Sequence, residues 1–194
     1  MSTSPNEFYS EERWQNWVER IRDTEVDPED EDSARLLLNM QDDTALAVAK
    51  VLMAYDDGEL DEEETLEELD EMRAIVLDDV AVDDEDTAML VEGVQTSLTC
   101  VFESAMRYVT GGPAEEASIE EYLRAAADAE AEEDLDAAFG YVAQAGTLVA
   151  AEQDLDMSIA ESLDYGYVTE WLNGLDSLQS ALADPEVVEE EDED

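Results

Sequence analysis

The sequence predicts an all-α protein: roughly seven helices in a compact bundle, followed by a disordered acidic tail. Three observations carry that expectation. Apolar residues recur at i, i+3, i+4 and i+7 along most of the chain. Ser and Asp caps, with Gly and Pro stops, punctuate those stripes at helix-sized intervals. No stretch shows the sustained two-residue alternation of a half-buried strand.

Ser10 opens the first helix, its hydroxyl placed to cap the amides two or three residues on, with Glu11 and Glu12 suited to the positive end of the dipole. Trp14, Trp17, Val18 and Ile21 form its apolar stripe. Asp27-Pro28-Glu29-Asp30 reads as the next start, Asp27 capping and Pro28 in the first turn, and that helix runs to about Tyr55. Leu37, Leu38, Ala45, Val48, Ala49 and Leu52 make its main stripe. Leu36, Met40, Leu46 and Val51 widen it, so it is expected to be central, with a break expected near Asp42-Asp43.

Gly58 stops that helix, and Asp61 with Glu64 forms an acidic version of the capping box for the third, which carries Leu66, Leu69, Met72, Ile75 and Val76. Asp83 or Asp84 opens the fourth, which runs through Leu90, Val94, Leu98, Val101, Phe102, Ala105 and Val109 to Gly111-Gly112-Pro113. This triplet is the best subdomain boundary. It separates an N-terminal helical bundle (1–110) from a C-terminal helical subdomain packed on it (114–183). Ser118 and Glu121 form a second capping box, ahead of Tyr122, Leu123, Ala126 and Ala129. A sixth helix from about Asp134 holds Leu135, Ala138, Phe139, Val142, Ala145 and Leu148. The last stretch carries Ile159, Leu163, Val168, Trp171, Leu172, Leu175, Leu178 and Leu182. Residues 184–194 hold eight acids in eleven positions and read as a solvated tail.

Fifty-seven acidic residues stand against eight basic ones, of which only Lys50 is a lysine, for a net charge of −49. Two carboxylates about 6 Å apart in water repel by about 0.7 kcal/mol. About fifty such contacts exceed the about 5–15 kcal/mol by which domains are stable. In about 1 M salt the Debye length is about 3 Å, which cuts each repulsion about sevenfold. The charge therefore describes a salt-rich solvent more than a partner. Scarce lysine agrees, because its long apolar stem competes poorly for scarce free water. Disorder conflicts with a chain that is 44% apolar at helical spacing. A mimic of nucleic-acid phosphates needs acids on one face, whereas they spread as 16, 19 and 22 over residues 1–60, 61–120 and 121–194.

Several chemistries are excluded within one chain. With a single cysteine, Cys100, and no histidine, there is no internal disulfide, Cys/His metal cluster, Ser–His–Asp triad or Cys–His dyad. Met-Ser-Thr-Ser-Pro-Asn-Glu lacks the basic and apolar regions of a secretory signal, and no apolar run approaches the about 20 residues of a spanning helix. No Gly-rich phosphate loop or basic patch for nucleic acid occurs. The chain is expected to be cytoplasmic, without membrane contact.

Four constellations stand out. Asp57-Gly58-Glu59-Leu60-Asp61-Glu62-Glu63-Glu64 reproduces the second half of an EF-hand loop, but ligand positions one and three are Met53 and Tyr55. A Gly-terminated helix followed by an Asp-capped one explains every residue. Tyr122, Ala125, Ala126, Ala129, Ala138, Val142 and Ala145 match a single tetratricopeptide hairpin in part. No second copy follows, so close packing of two Ala-rich helices is the better account. Gly93, Ser97 and Cys100 line one side of the fourth helix as close-packing positions, and Cys100 lacks the basic surroundings of a reactive thiol. The fourth is the segment from Ser10 to Arg22, which balances three acids with Arg13, Arg20 and Arg22 beside two tryptophans. Docking on its own acidic body is its plain explanation. The sharper expectation makes Trp14, Trp17 and Arg20 a contact for a partner or a second copy, since aromatics and arginine dominate interface hot spots.

Asn6-Glu7-Phe8-Tyr9-Ser10-Glu11-Glu12-Arg13-Trp14, Gly93-Val94-Gln95-Thr96-Ser97-Leu98, and Thr169-Glu170-Trp171 with Asn173-Gly174-Leu175-Asp176-Ser177-Leu178 resemble a family of small acidic haloarchaeal proteins defined by a domain of unknown function. The resemblance implies a halophilic archaeal source, and no activity or cofactor. The reading is of a non-enzymatic protein-protein interaction or adaptor protein, with no cofactor, no metal and no direct nucleic-acid contact. The alternative is an acidic regulator that binds a basic protein and occludes its nucleic-acid site. A carboxylate/divalent-metal enzyme stands third.

Overall fold

The computed structural model describes residues 8–183. The expected tail, 184–194, lies outside them. Among the described residues seven α-helices follow in order: α1 Glu11–Asp23, α2 Glu31–Asp56, α3 Glu62–Val76, α4 Glu85–Gly111, α5 Ile119–Ala131, α6 Leu135–Ala150 and α7 Tyr167–Ala183, with a short 3-10 helix Met157–Ser162 before α7. No strand occurs among the described residues.

The caps act as their chemistry demands. Ser10 Oγ accepts the Arg13 amide at 3.1 Å. Asp61 and Glu64, then Ser118 and Glu121, form reciprocal capping boxes. Asp84 accepts both the amide and the hydroxyl of Thr87, and Asp134 accepts the Ala137 amide at 3.1 Å. These carboxylates also sit at positive dipole ends.

α4 is the hub, packed on α2, α3, α6 and α7, and its Leu98, Val101, Phe102 and Ala105 are fully buried. α5 and α6 form a hairpin across Glu132-Glu133-Asp134, with Tyr122, Ala126, Ala138, Val142 and Ala145 inside. One apolar cluster runs from Tyr9 to Ala181, fed by helices on both sides of Gly111-Gly112-Pro113. Small residues let α4 approach α7: a Cβ added to Gly174 would lie 2.3 Å from the Ser97 carbonyl oxygen. Ser97 is part of the small-residue side of α4, and its hydroxyl crosses to the Glu170 carbonyl at 2.9 Å.

Four local expectations are corrected. α2 starts at Glu31, because Asp27 caps a turn: its carboxylate accepts the Glu29 amide at 2.9 Å and its carbonyl the Asp30 amide at 3.0 Å. α2 does not break at Asp42-Asp43, because Asp43 is buried and engaged by α1. Leu38 is 51% exposed, since the buried stripe follows Leu37, Met40, Gln41 and Thr44 instead. The last helical stretch is two elements. Glu130 of α5 accepts the Tyr167 amide at 2.7 Å, so α7 begins there rather than continuing from the 3-10 helix. A Cβ at Gly166 would meet that carboxylate at 2.4 Å, so only a residue without one fits the junction unchanged.

Candidate interaction surface

The first candidate surface is the α1 segment. Its stripe is turned into the protein: Trp14 is 1% exposed, Trp17 is 8%, and Val18 and Ile21 are buried. Asp43, arriving from α2, is the fixed point. The Trp17 indole N–H donates to its Oδ2 at 2.8 Å, Arg13 Nε donates to the same oxygen at 2.9 Å, and a second Arg13 nitrogen donates to Oδ1. Two guanidinium planes cover aromatic rings: Arg13 lies 5.2 Å from the Tyr9 centroid and Arg20 lies 4.7 Å from that of Trp17. The carboxylate, the indole and the cations complete one another, and a shallow recess of about 150 Å³ remains between Arg13, Asn16, Trp17, Arg20 and Asp43. Of the three residues singled out from sequence, Arg20 alone is exposed, and Trp14 and Trp17 both belong to the core.

The second candidate surface is at the start of α7, and it was not singled out in sequence. Tyr165 is 86% exposed and Tyr167 50%. The Tyr167 ring stacks on Trp171 at 5.8 Å, and Phe139 of α6 meets the same indole edge-on at 5.0 Å. Two carboxylates join the group. Glu130 accepts the Tyr167 amide, and Glu170 Oε1 accepts the Tyr165 hydroxyl at 3.1 Å. That hydrogen bond, with the charge behind it, raises the Tyr165 phenol above its ordinary value. The sequence signal was present: Tyr165, Tyr167 and Trp171 cluster in a chain that has no lysine or arginine after Arg124.

The other constellations have structural partners. Asp61 and Glu64 of the half EF-hand-like turn serve the capping box of α3, and Gly58 takes the left-handed conformation at φ 76°. Among the described residues, no group of three or more Asp, Glu, His or Cys is placed to hold a metal ion. Cys100 is fully buried and burial pushes its thiol up to about 12. A broad acidic groove of about 1190 Å³ lies between the α1–α2 and α3–α4 connections, where Arg22 Nε donates to the Ala81 carbonyl at 2.8 Å. No described helix is long and apolar enough to cross a membrane.

Fold and surface together define an acidic all-α bundle that presents an aromatic face at one helix start. The chain belongs to the family described as an uncharacterized protein conserved in archaea, DUF2150, whose model matches residues 7–191. No curated protein and no solved structure matches it.

Proposed function

We infer that this archaeal protein is a non-enzymatic protein-protein interaction or adaptor protein of a salt-rich cytoplasm. The observation that carries this is the pair of exposed tyrosines at the start of α7, Tyr165 and Tyr167, the second with its ring stacked on Trp171. Tyr and Trp offer large contact area at small conformational cost, and apolar contact survives salt that screens ion pairs. The α1 segment supports the reading differently from the way its sequence promised. Its stripe is buried in the body, and Arg20 remains exposed over the Trp17 ring.

The test is affinity recovery from native lysate kept at molar KCl, comparing wild type with Tyr165→Ala/Tyr167→Ala. A stoichiometric partner held by wild type and released by the variant is the expected result. Recovery of no such partner overturns the reading. The salt-rich setting is checked separately: circular dichroism should show helix lost on dialysis to low salt, and cooperative melting retained there would contradict it.

A second reading, the acidic regulator that masks the nucleic-acid site of a basic protein, draws on the acid-only stretch after Arg124. Its partner should dissociate as salt rises, whereas an aromatic contact should hold.

A further inference from the structure

We propose that the Tyr165–Tyr167–Trp171 face receives arginine side chains from an exposed segment of a partner protein. This deepens the interaction reading and rests on it. The argument starts from chemistry that the chain already displays on itself. At α1, guanidinium planes lie over the rings of Tyr9 and Trp17, with the Asp43 carboxylate receiving the hydrogen bonds of Arg13. At α7 rings and negative charge recur, with Glu130 already capping the helix through both oxygens, which accept the Tyr167 and Val168 amides. The Tyr167 ring is stacked on Trp171 and half exposed, and Tyr165 stands almost fully in solvent. Glu130 lies 2.7 Å from the Tyr167 amide, and Glu170 lies 3.1 Å from the Tyr165 hydroxyl. Rings and carboxylates are both in place, and the chain supplies no cation from its own sequence anywhere after Arg124. The two described arginine-over-ring contacts are both at α1.

Arginine fits better than lysine on physical grounds. A guanidinium is planar, stacks on aromatic faces and is weakly hydrated, so it leaves water at lower cost than an ammonium. In molar salt a bare point charge is screened within about 3 Å, so a contact that adds stacking to charge keeps more of its strength. The platform is also held rigidly. Glu130 fixes the first turn of α7 from α5, Phe139 braces Trp171 from α6, and the Gly174–Ser97 approach sets α7 against α4. Trp171 and the Tyr167 ring stacked on it are thereby in place before a ligand arrives, which lowers the ordering cost of binding there.

The experiment titrates fluorescein-labelled Gly/Ser peptides carrying spaced arginines into the full chain in molar KCl, read by anisotropy. The same peptide with glutamine at each arginine, and one with leucine there, serve as controls. Saturable binding of the arginine peptide is expected, weakened about five- to tenfold by Tyr165→Ala/Tyr167→Ala, with the glutamine and leucine peptides weaker than either. Circular dichroism confirms that the variant is folded. Equal affinity for wild type and variant would place the peptide on the general acidic surface and overturn the proposal. A leucine peptide that binds as tightly as the arginine one overturns the cationic occupant and leaves the interaction reading standing. Doubling of the wild-type mass in molar salt, abolished by the variant, would assign the face to a second copy and overturn it as well. No binding of any peptide also overturns it, while a partner recovered from lysate would still support the broader reading.

Discussion

At α1 a tryptophan, two arginines and a carboxylate complete one another; at the start of α7 two carboxylates and a buried tryptophan accompany two tyrosines that stay open to solvent. The ingredients are nearly the same, and aromatics with arginine mark interface hot spots in general. The difference lies in which hydrogen bonds and ring faces the chain itself already uses. Trp17 spends its N–H on Asp43 and one ring face on Arg20, whereas Tyr165 keeps most of its surface. Composition therefore points to where such chemistry is concentrated, and geometry tells which concentration is still unfilled.

The largest expected effect breaks the comparison if it fails. Trp14 is a core side chain at 1% exposure, so Trp14→Ala should cost about 3–5 kcal/mol, as for other buried Trp truncations. Tyr165→Ala, at an exposed site, should stay within about 0.5 kcal/mol. Urea unfolding in molar KCl measures both. A Trp14→Ala variant as stable as wild type would show that α1 does not anchor the fold, and the closed half of the comparison would collapse.

Asp43 sharpens the closed half. Asp43→Ala leaves the mostly buried Trp17 indole N–H without its acceptor and takes from Arg13 its two-point partner. Removing one member of a buried polar contact costs about 1–3 kcal/mol, and the paired charge moves the expectation to about 2–3 kcal/mol. Asp43→Asn keeps an oxygen for the indole and loses the charge, so it should fall between Ala and wild type. If Asp43→Asn and Asp43→Ala unfold at the same urea concentration, the indole bond contributes nothing, and their shared distance from wild type measures the charged contact with Arg13 alone.

Much of this molecule was legible because local chemistry and helical period agree. Ser10, Asp61, Asp84, Ser118 and Asp134 cap the helices their sequence neighbours promised. What was not legible depends on residues distant in sequence. Asp42-Asp43 reads as a break because an aspartate inside an apolar stripe has no local partner; the partners of Asp43 come from 26 and 30 residues earlier. The break before α7 is set by Glu130, 37 residues upstream, which no local pattern around Gly166 reveals. The tryptophans of α1 drew attention as a candidate contact because a helical stripe does not say which body it faces. The α7 face is hidden in the sequence because Val168, Trp171, Leu172 and Leu175 read as one core stripe, while Tyr165 and Tyr167 precede it in a stretch that reads as continuous helix.

The finest test compares one tyrosine from each region. Both phenols are raised above the ordinary value near 10, for different reasons: burial dominates at Tyr9, and the hydrogen bond to Glu170 dominates at Tyr165. A phenol whose folded value is raised contributes stability that is fully present below the unfolded value and is lost as pH rises toward the folded one. For Tyr9 the window therefore opens above about pH 10, and base should unfold the protein as the α1 clamp gives up a proton it holds only while folded. Tyr9→Phe should flatten the dependence of stability on pH in that window. Tyr165, lying in solvent, should titrate within the folded protein, and Glu170→Gln should bring it back toward the ordinary value by removing the neighbouring charge. Carbon NMR of ring-labelled tyrosine follows each phenol separately. If Tyr165 ionises only with global unfolding, or ignores Glu170→Gln, then the α7 face is as closed as the α1 clamp and the contrast between them disappears.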